Sequence, residues 1–328
     1  MGKPSMFWGI RYGGIEATAD GRLVVPVFPR SVVDRLLMGG ITAEVWMQPG
    51  VGAAELADSM ASFYRERDPR GRVALVLGAG NVNSIPPLDV LYRLIARGQV
   101  VLLKMSPVND YLAGALEEVL EPFVTAGFLR VVRGGAEAGE YLVRHEAIDE
   151  VHITGSAATH DAIVWGLGEE AAGRRRNGKP LLEKPISSEL GGVGPVIVVP
   201  GPWSASDLRY QAEHVVTMKL HNAGCNCVAA QVLVLPREWA LREPLLAEIR
   251  RLFATLPPRH AHYPGAADRW RMAVEAHPEG ERFAGEVFFL SPSIDRATRK
   301  LLIKAWVANP AHRLKPGMFA NVDIEVAV

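Results

Sequence analysis

The decapeptide HNAGCNCVAA, residues 221–230, holds both cysteines of a 328-residue chain. Two thiols one residue apart allow three chemistries: a disulfide, a metal centre, or a thiolate nucleophile. A disulfide across so short a spacing strains the geometry a bridge requires. The spacing is also not the Cys-x-x-Cys of a thioredoxin-like redox pair. His221, Cys225 and Cys227 offer three metal ligands, but no second cluster completes a tetrahedral site, so no metal is expected. What remains for each thiol is a small buried hydrophobe or a nucleophile acting as its thiolate.

Other residues with chemistry to offer stand at the ends of apolar runs. VALVL (73–77), VVLLK (100–104), FLRVV (128–132) and EVHIT (150–154) are short and rich in branched side chains, as strands covered on both faces would be. Between them the apolar residues recur at helical spacing. Pro86 and Pro87 suit a first helical turn, with Leu88, Leu91, Leu94 and Ile95 following until Gly98. Leu112, Leu116, Val119, Leu120 and Phe123 form a second such face, ending near Gly127, and AEAGEYLVRH (136–145) a third helix. Strands alternating with helices predict an α/β fold with a doubly wound parallel sheet. Ligands of such sheets bind beyond the carboxyl ends of the strands. Further on, GRRRNGKP (173–180) reads as a basic surface loop, PVIVV (195–199) and AAQVLVLP (229–236) as strands. Ser204 with Asp207 predicts a capping box for a helix running to about Asn222. The cysteines therefore fall between a helix and a strand, where a side chain meets a ligand.

Bulk composition narrows the classes. Lysine and arginine number 36 against 36 aspartate and glutamate, so neither nucleic acid nor an acidic membrane surface is expected as a partner. The chain is 48% hydrophobic, enough for a well-filled core, yet no apolar run is long enough to span a bilayer. The first residues lack the features of a secretory signal. With two cysteines and no disulfide framework, a reducing cytoplasm is the expected compartment.

Four landmarks in order resemble the aldehyde dehydrogenase superfamily over about residues 15–284: GNVNSIPPLDVLYRL (80–94), VVLLKMSP (100–107), ITGSAATHDAI (153–163), and SELGGVGPVIV (188–198) with NAGCNCVAAQ (222–231). The resemblance implies a Rossmann-like sheet and roles for particular residues. The family's cysteine follows a glycine by three positions, which selects Cys227. Glu-Leu-Gly-Gly selects Glu189 as general base, and Asn81 falls where the family has its oxyanion asparagine. Lys104 would bond the adenosine ribose, and Gly155 with Ser156 would receive a pyrophosphate at a helix start. The cofactor implied is NAD or NADP. His160 stands where a second glycine is usual, and Pro107 where an acid often is, which leaves the choice of nucleotide open. His152, His214 and His221 are assigned no role.

The resemblance fades near Phe283, without the segments that complete the family's catalytic domain and join its subunits. Residues 285–328 read as β structure, with turns at Asn309-Pro310 and Pro316-Gly317 and alternation over Val322, Ile324 and Val326. Asp295, Thr298-Arg299, Asn309-Pro310 and Leu314–Met318 give this tail a resemblance to the periplasmic adaptor (membrane fusion) subunits of efflux pumps. The expected organisation is 1–190, an N-terminally truncated cofactor-binding domain; 191–284, a truncated catalytic domain with the nucleophile; and 285–328, a short adaptor-like β segment. The expected function is oxidation of a small-molecule aldehyde by NAD(P)+ through a cysteine thioester, impaired by truncation. An acyl-CoA reductase using the same cysteine, or a non-catalytic fusion fragment related to efflux adaptors, are the alternatives. A homo-oligomer is allowed, though its usual interface is not found.

Overall fold

The computed structural model describes residues 15–59, 61–257, 262–276, 285–290 and 303–307. The chain divides into two compact units, residues 1–70 and 71–328. In the first, β1 (Glu16–Ala17), β2 (Leu23–Phe28) and β3 (Ala43–Trp46) form an antiparallel sheet in that order. Helix α1 (Val32–Leu37) starts at a capping box in which Ser31 and Asp34 each satisfy the other's backbone N–H, and α2 covers Ala53–Ser59.

The second unit is built on a five-stranded, wholly parallel sheet. Its strands are β4 (Val73–Leu77), β5 (Val100–Lys104), β6 (Leu129–Val132), β7 (Glu150–Gly155) and β8 (Ile186–Leu190), in the order β6-β5-β4-β7-β8. Successive side chains on a strand point to opposite faces, and both faces are covered. Val76, Val101 and Leu103 lie buried with Val90, Ala113 and Leu120 from helices α3 (Ile85–Leu91), α4 (Ala113–Val119) and their surroundings. Leu75 and Val151 lie with Val143 of α6 (Ala136–Arg144) and with Ile163 of α7 (Ala157–Trp165) on the other side. This is the doubly wound α/β sheet that the apolar runs predict.

Two helical readings are corrected. After α3 the chain takes a wider π turn over Tyr92–Ala96, which rotates the following residues relative to a uniform helix. The buried face is then Pro86, Val90 and Arg93, while Leu88 and Ile95 are 61% and 51% exposed. Arg93 is buried because it is paired: its guanidinium meets Glu150 and the Ser187 hydroxyl, and Gln99 Nε2 donates to the other Glu150 oxygen at 2.8 Å. The second helical face is likewise broken, since Pro122 opens a separate α5 (Glu121–Thr125) and Val119 is left exposed. The basic run at 173–176 is not a loop but the last turns of α8 (Gly168–Arg176). Arg174 reaches back to Glu170 at 2.7 Å and Arg175 to Asp161 at 2.9 Å, and cations there also suit the helix C-terminus.

Beyond the sheet, β9 (Gly194–Ile197) pairs in parallel with β10 (Ala230–Val234). Helix α9 (Ala205–Leu220), started by the Ser204–Asp207 capping box, and α10 (Arg242–Thr255) pack over one face through Val198, Ala212, Val216, Leu245 and Ile249. Helix α11 covers Ala266–Ala276, and β11 (Gly285–Leu290) pairs antiparallel with β12 (Ile303–Val307). The turns at Asn309-Pro310 and Pro316-Gly317, the alternation over 322–326 and the adaptor-like residues Asp295, Thr298-Arg299 and Leu314–Met318 lie outside the described residues.

Candidate functional site

The site forms at the carboxyl ends of β4, β5, β7 and β8. From β4 the chain turns at Gly78 and runs to Asn81, which is half-buried. Gly80 permits this path because a Cβ there would sit 2.4 Å from Ser106 Oγ and 3.1 Å from Val108 Cβ in the loop after β5. The two loops are tied by Asn109, whose Nδ2 donates to the Ala79 carbonyl at 2.9 Å.

The cysteine segment comes from the other side, off the end of α9. Asn222, Ala223 and Gly224 all take left-handed backbone, with φ of 53°, 53° and 78°. For alanine this conformation costs roughly 1–2 kcal/mol, so the neighbours must hold it. They do so through a reciprocal pair of hydrogen bonds. Asn222 Nδ2 donates to the Asn81 carbonyl at 2.7 Å, and Asn81 Nδ2 donates to the Cys225 carbonyl at 3.0 Å. Cys225 is half-buried, with its Sγ 3.8 Å from the Ala223 carbonyl. Cys227 is exposed in the turn that leads into β10. The structure thus brings Asn81 against the cysteine segment across 144 residues of sequence.

The other predicted residues share the same sheet edge on separate strands. Glu189 pairs in register with Thr154, and its side chain is exposed. Gly155 closes β7, and Ser156 caps α7, its Oγ accepting from the Thr159 N–H at 3.0 Å. The remaining free N–H groups of that first turn suit a pyrophosphate. Lys104, the last residue of β5, is only 7% exposed. Burial pulls its pKa down, with Asp110 opposing.

Sequence reasoning missed several residues here. A cleft of about 400 Å³ lies beside Asn81, lined among others by Asn83, Asn109, Tyr111, Asn226 and His262. Asn222 carried a signal, since it opens the Asn-Ala-Gly that precedes the thiols. Asn109 and Tyr111 carried none, because their meaning depends on a loop some thirty residues away. Among the described residues no group of His, Cys, Asp and Glu is arranged to hold a metal, and no helix is long and apolar enough to cross a membrane.

Comparison with known proteins places these residues in context. The model of the aldehyde dehydrogenase family matches residues 48–262, and that of the CusB-like β-barrel domain matches residues 254–327. An N-succinylglutamate 5-semialdehyde dehydrogenase of Sphingopyxis alaskensis is 31% identical over 209 residues, 63% of this chain and 40% of the relative. An aminoacetaldehyde dehydrogenase of Pseudomonas aeruginosa is 30% identical over 284 residues, 85% of this chain and 48% of the relative. The chain therefore spans less than half the length of these curated relatives. Among solved structures, an NAD-dependent aldehyde dehydrogenase from Sinorhizobium meliloti superposes with a TM-score of 0.50 at 20% identity, covering 78% of this chain and 50% of that one. A lactaldehyde dehydrogenase from Escherichia coli gives a TM-score of 0.50 at 18% identity, covering 71% and 48%. At these identities the structural likeness speaks to fold alone.

Proposed function

The chain belongs to the aldehyde dehydrogenase family, and from that premise we propose that it oxidises an aldehyde with NAD(P)+ through a thioester on Cys227. The observation that carries the reading is the hydrogen bond from Asn81 to the Cys225 carbonyl. It keeps an amide donor beside the segment that bears the exposed thiol. Cys227, as its thiolate, attacks the aldehyde carbon; the C–S bond forms as the carbonyl π electrons move onto oxygen. An amide NH2 has two donors, so Asn81 keeps one for that oxygen, and the Cys227 backbone N–H supplies a second. A bound NAD(P)+ would supply the acceptor for the hydride of this carbon. Gly155, Ser156 and the first turn of α7 would hold its pyrophosphate, and Lys104 its ribose. Glu189 then takes a proton from the water that attacks the thioester, and the acid leaves with the thiolate restored.

The same reading takes residues 1–190 as the cofactor domain, 191–284 as a partial catalytic domain, and 285–328 as a fused adaptor-like β segment. Both cysteines are free thiols, which suits a reducing cytoplasm. Turnover by this chain is expected to be slow. Positioning a reactant is worth roughly 7–11 kcal/mol of barrier, and an exposed Cys227 gives up much of it. The test is a single-turnover one: incubate the protein with aldehyde and NAD+ or NADP+, then map acyl adducts by mass. An adduct on Cys227, absent in Cys227→Ala, supports the reading; an adduct on Cys225 alone, or none with either nucleotide, overturns it.

A further inference from the structure

One face of the parallel sheet changes character between β4 and β7. Val76, Val101 and Leu103 are buried there among apolar side chains. His152, the register partner of Val76, instead belongs to a column of polar groups. Alternation puts Glu150, His152 and Thr154 of β7 on this face, with Ser187 and Glu189 of β8 beside them. The column is joined to α3 and to the π turn that follows it. Arg93 donates to the Ser187 hydroxyl, and Ser187 Oγ lies 2.9 Å from His152 Nδ1. His152 Nε2 faces Asp89 Oδ2 at 3.5 Å, and Thr154 Oγ1 donates to the same oxygen at 3.0 Å.

The order of donors fixes the histidine. A guanidinium only donates, so the Ser187 oxygen accepts from Arg93 and has its own proton to give. Among the described residues the acceptor it meets is His152 Nδ1. That nitrogen is therefore bare, and the ring proton sits on Nε2, toward Asp89. Arg93, Ser187, His152 and Asp89 form one directed chain, buried at His152 and Arg93, which are 9% and 4% exposed.

Strand β8 depends on such a tie. None of its residues, Ile-Ser-Ser-Glu-Leu, is buried, and it is the last strand of this sheet among the described residues. A strand without a buried apolar face specifies its register weakly, and a slip of one residue turns every side chain to the other face. Such a slip would set Ser188 or Leu190, in place of Glu189, opposite Thr154. Fixing register is the best-attested use of a buried polar network. We propose, on the reading of Glu189 as the base that activates water, that Ser187 and His152 are its positioning residues. The chain from Arg93 to Asp89 pins the register of β8 and so holds Glu189 at the sheet edge.

The test needs no cofactor. Acetyl transfer from p-nitrophenyl acetate acylates the Cys227 thiolate as p-nitrophenolate leaves, and water then releases acetate from the thioester. Release of p-nitrophenolate reads acylation, and the mass of the Cys227 peptide reads decay of the acyl group, the step that Glu189 serves. A misplacement of about 1 Å can cost about 10²-fold, so His152→Leu is expected to slow decay at least tenfold while acylation changes little. His152→Gln should restore decay, because its Oε1 accepts from Ser187 and its Nε2 donates toward Asp89 as the ring does. Ser187→Ala, a smaller change to the fold, should slow decay like His152→Leu, whereas Ser188→Ala, on the opposite face, should not. Wild-type decay in His152→Leu and Ser187→Ala, beside slow decay in Glu189→Gln, would overturn the positioning role and leave the base standing. Equal losses in His152→Gln and His152→Leu, or in Ser188→Ala and Ser187→Ala, would also overturn it, since neither depends on the hydrogen-bonded chain. Unchanged decay in Glu189→Gln, or no acetyl on Cys227 in the wild type, removes the reading of the site and the positioning role with it.

Discussion

Two thiols separated by one residue, of which the offset from Gly224 singles out Cys227, meet different surroundings. Cys225 is half-buried, and its carbonyl is taken up by Asn81; Cys227 is exposed. Cys227→Ala is expected to abolish aldehyde-dependent cofactor reduction and the acyl adduct, while Cys225→Ala retains much of both; the opposite outcome would reverse the assignment. Glu189→Gln should slow release of acid more than acylation, because in the proposed reaction the carboxylate serves the water and not the hydride. Rapid mixing would then show a preserved burst followed by a slower steady state. Loss of the burst itself would move Glu189 to thiol activation. Asn81 was singled out by its place in the landmark GNVNSIPPLDVLYRL, and the structure sets it against the cysteine segment. The hydrogen bonds that Asn222 and Asn109 make were not legible, since bonds across a fold leave no mark in local spacing.

At the scale of elements, β4 and β5 match the predicted runs residue for residue, because strands buried on both faces are written as unbroken branched stretches. The helices were less legible. Arg93 is a charged residue between the apolar positions of the helical pattern, yet a π turn swings it inward to Glu150. Burial works against the Glu150 charge, but the hydrogen bonds from Gln99 and Arg93 outweigh it, holding the carboxyl below its ordinary value of 4.5. A depressed folded-state pKa contributes stability above the unfolded value, and that contribution fades as pH falls through the folded one. Urea unfolding between about pH 6 and pH 3 should show this loss. Glu150→Gln should lower stability by about 3 kcal/mol at neutral pH by leaving Arg93 buried without a counter-charge, and should flatten the acid slope. An unchanged slope would mean that the pair does not govern acid stability. The cysteine turn has its own weak point at Gly224, where φ is +78° and a Cβ would lie 3.3 Å from the Lys219 carbonyl. Gly224→Ala should cost roughly 1–2 kcal/mol and change the rate at which Cys227 is alkylated. A wild-type melting temperature together with a wild-type alkylation rate would show that the turn does not need glycine.

Among the described residues, β9 and β10 form a parallel pair covered on one face only. Parallel strands are ordinarily covered on both faces, and two strands alone are marginal. Helices α9 and α10 bury Val198 and its neighbours on one side of β9 and β10. On the other, alternation turns Ile197 and Val199 outward, 68% and 74% exposed. The sequence could not show this, because PVIVV reads the same whether its second face is covered or bare. An apolar strand with exposed alternate residues invites pairing with another copy. The chain should therefore self-associate as concentration rises, and Ile197→Lys with Val199→Lys should suppress it, since lysine on such a strand is a natural guard against edge pairing. Light scattering over a concentration series, beside a melting curve, separates the two contributions. Suppressed scattering at an unchanged melting temperature is the expected result, because neither side chain belongs to the buried cluster. Unchanged scattering would clear this face and move the liability elsewhere.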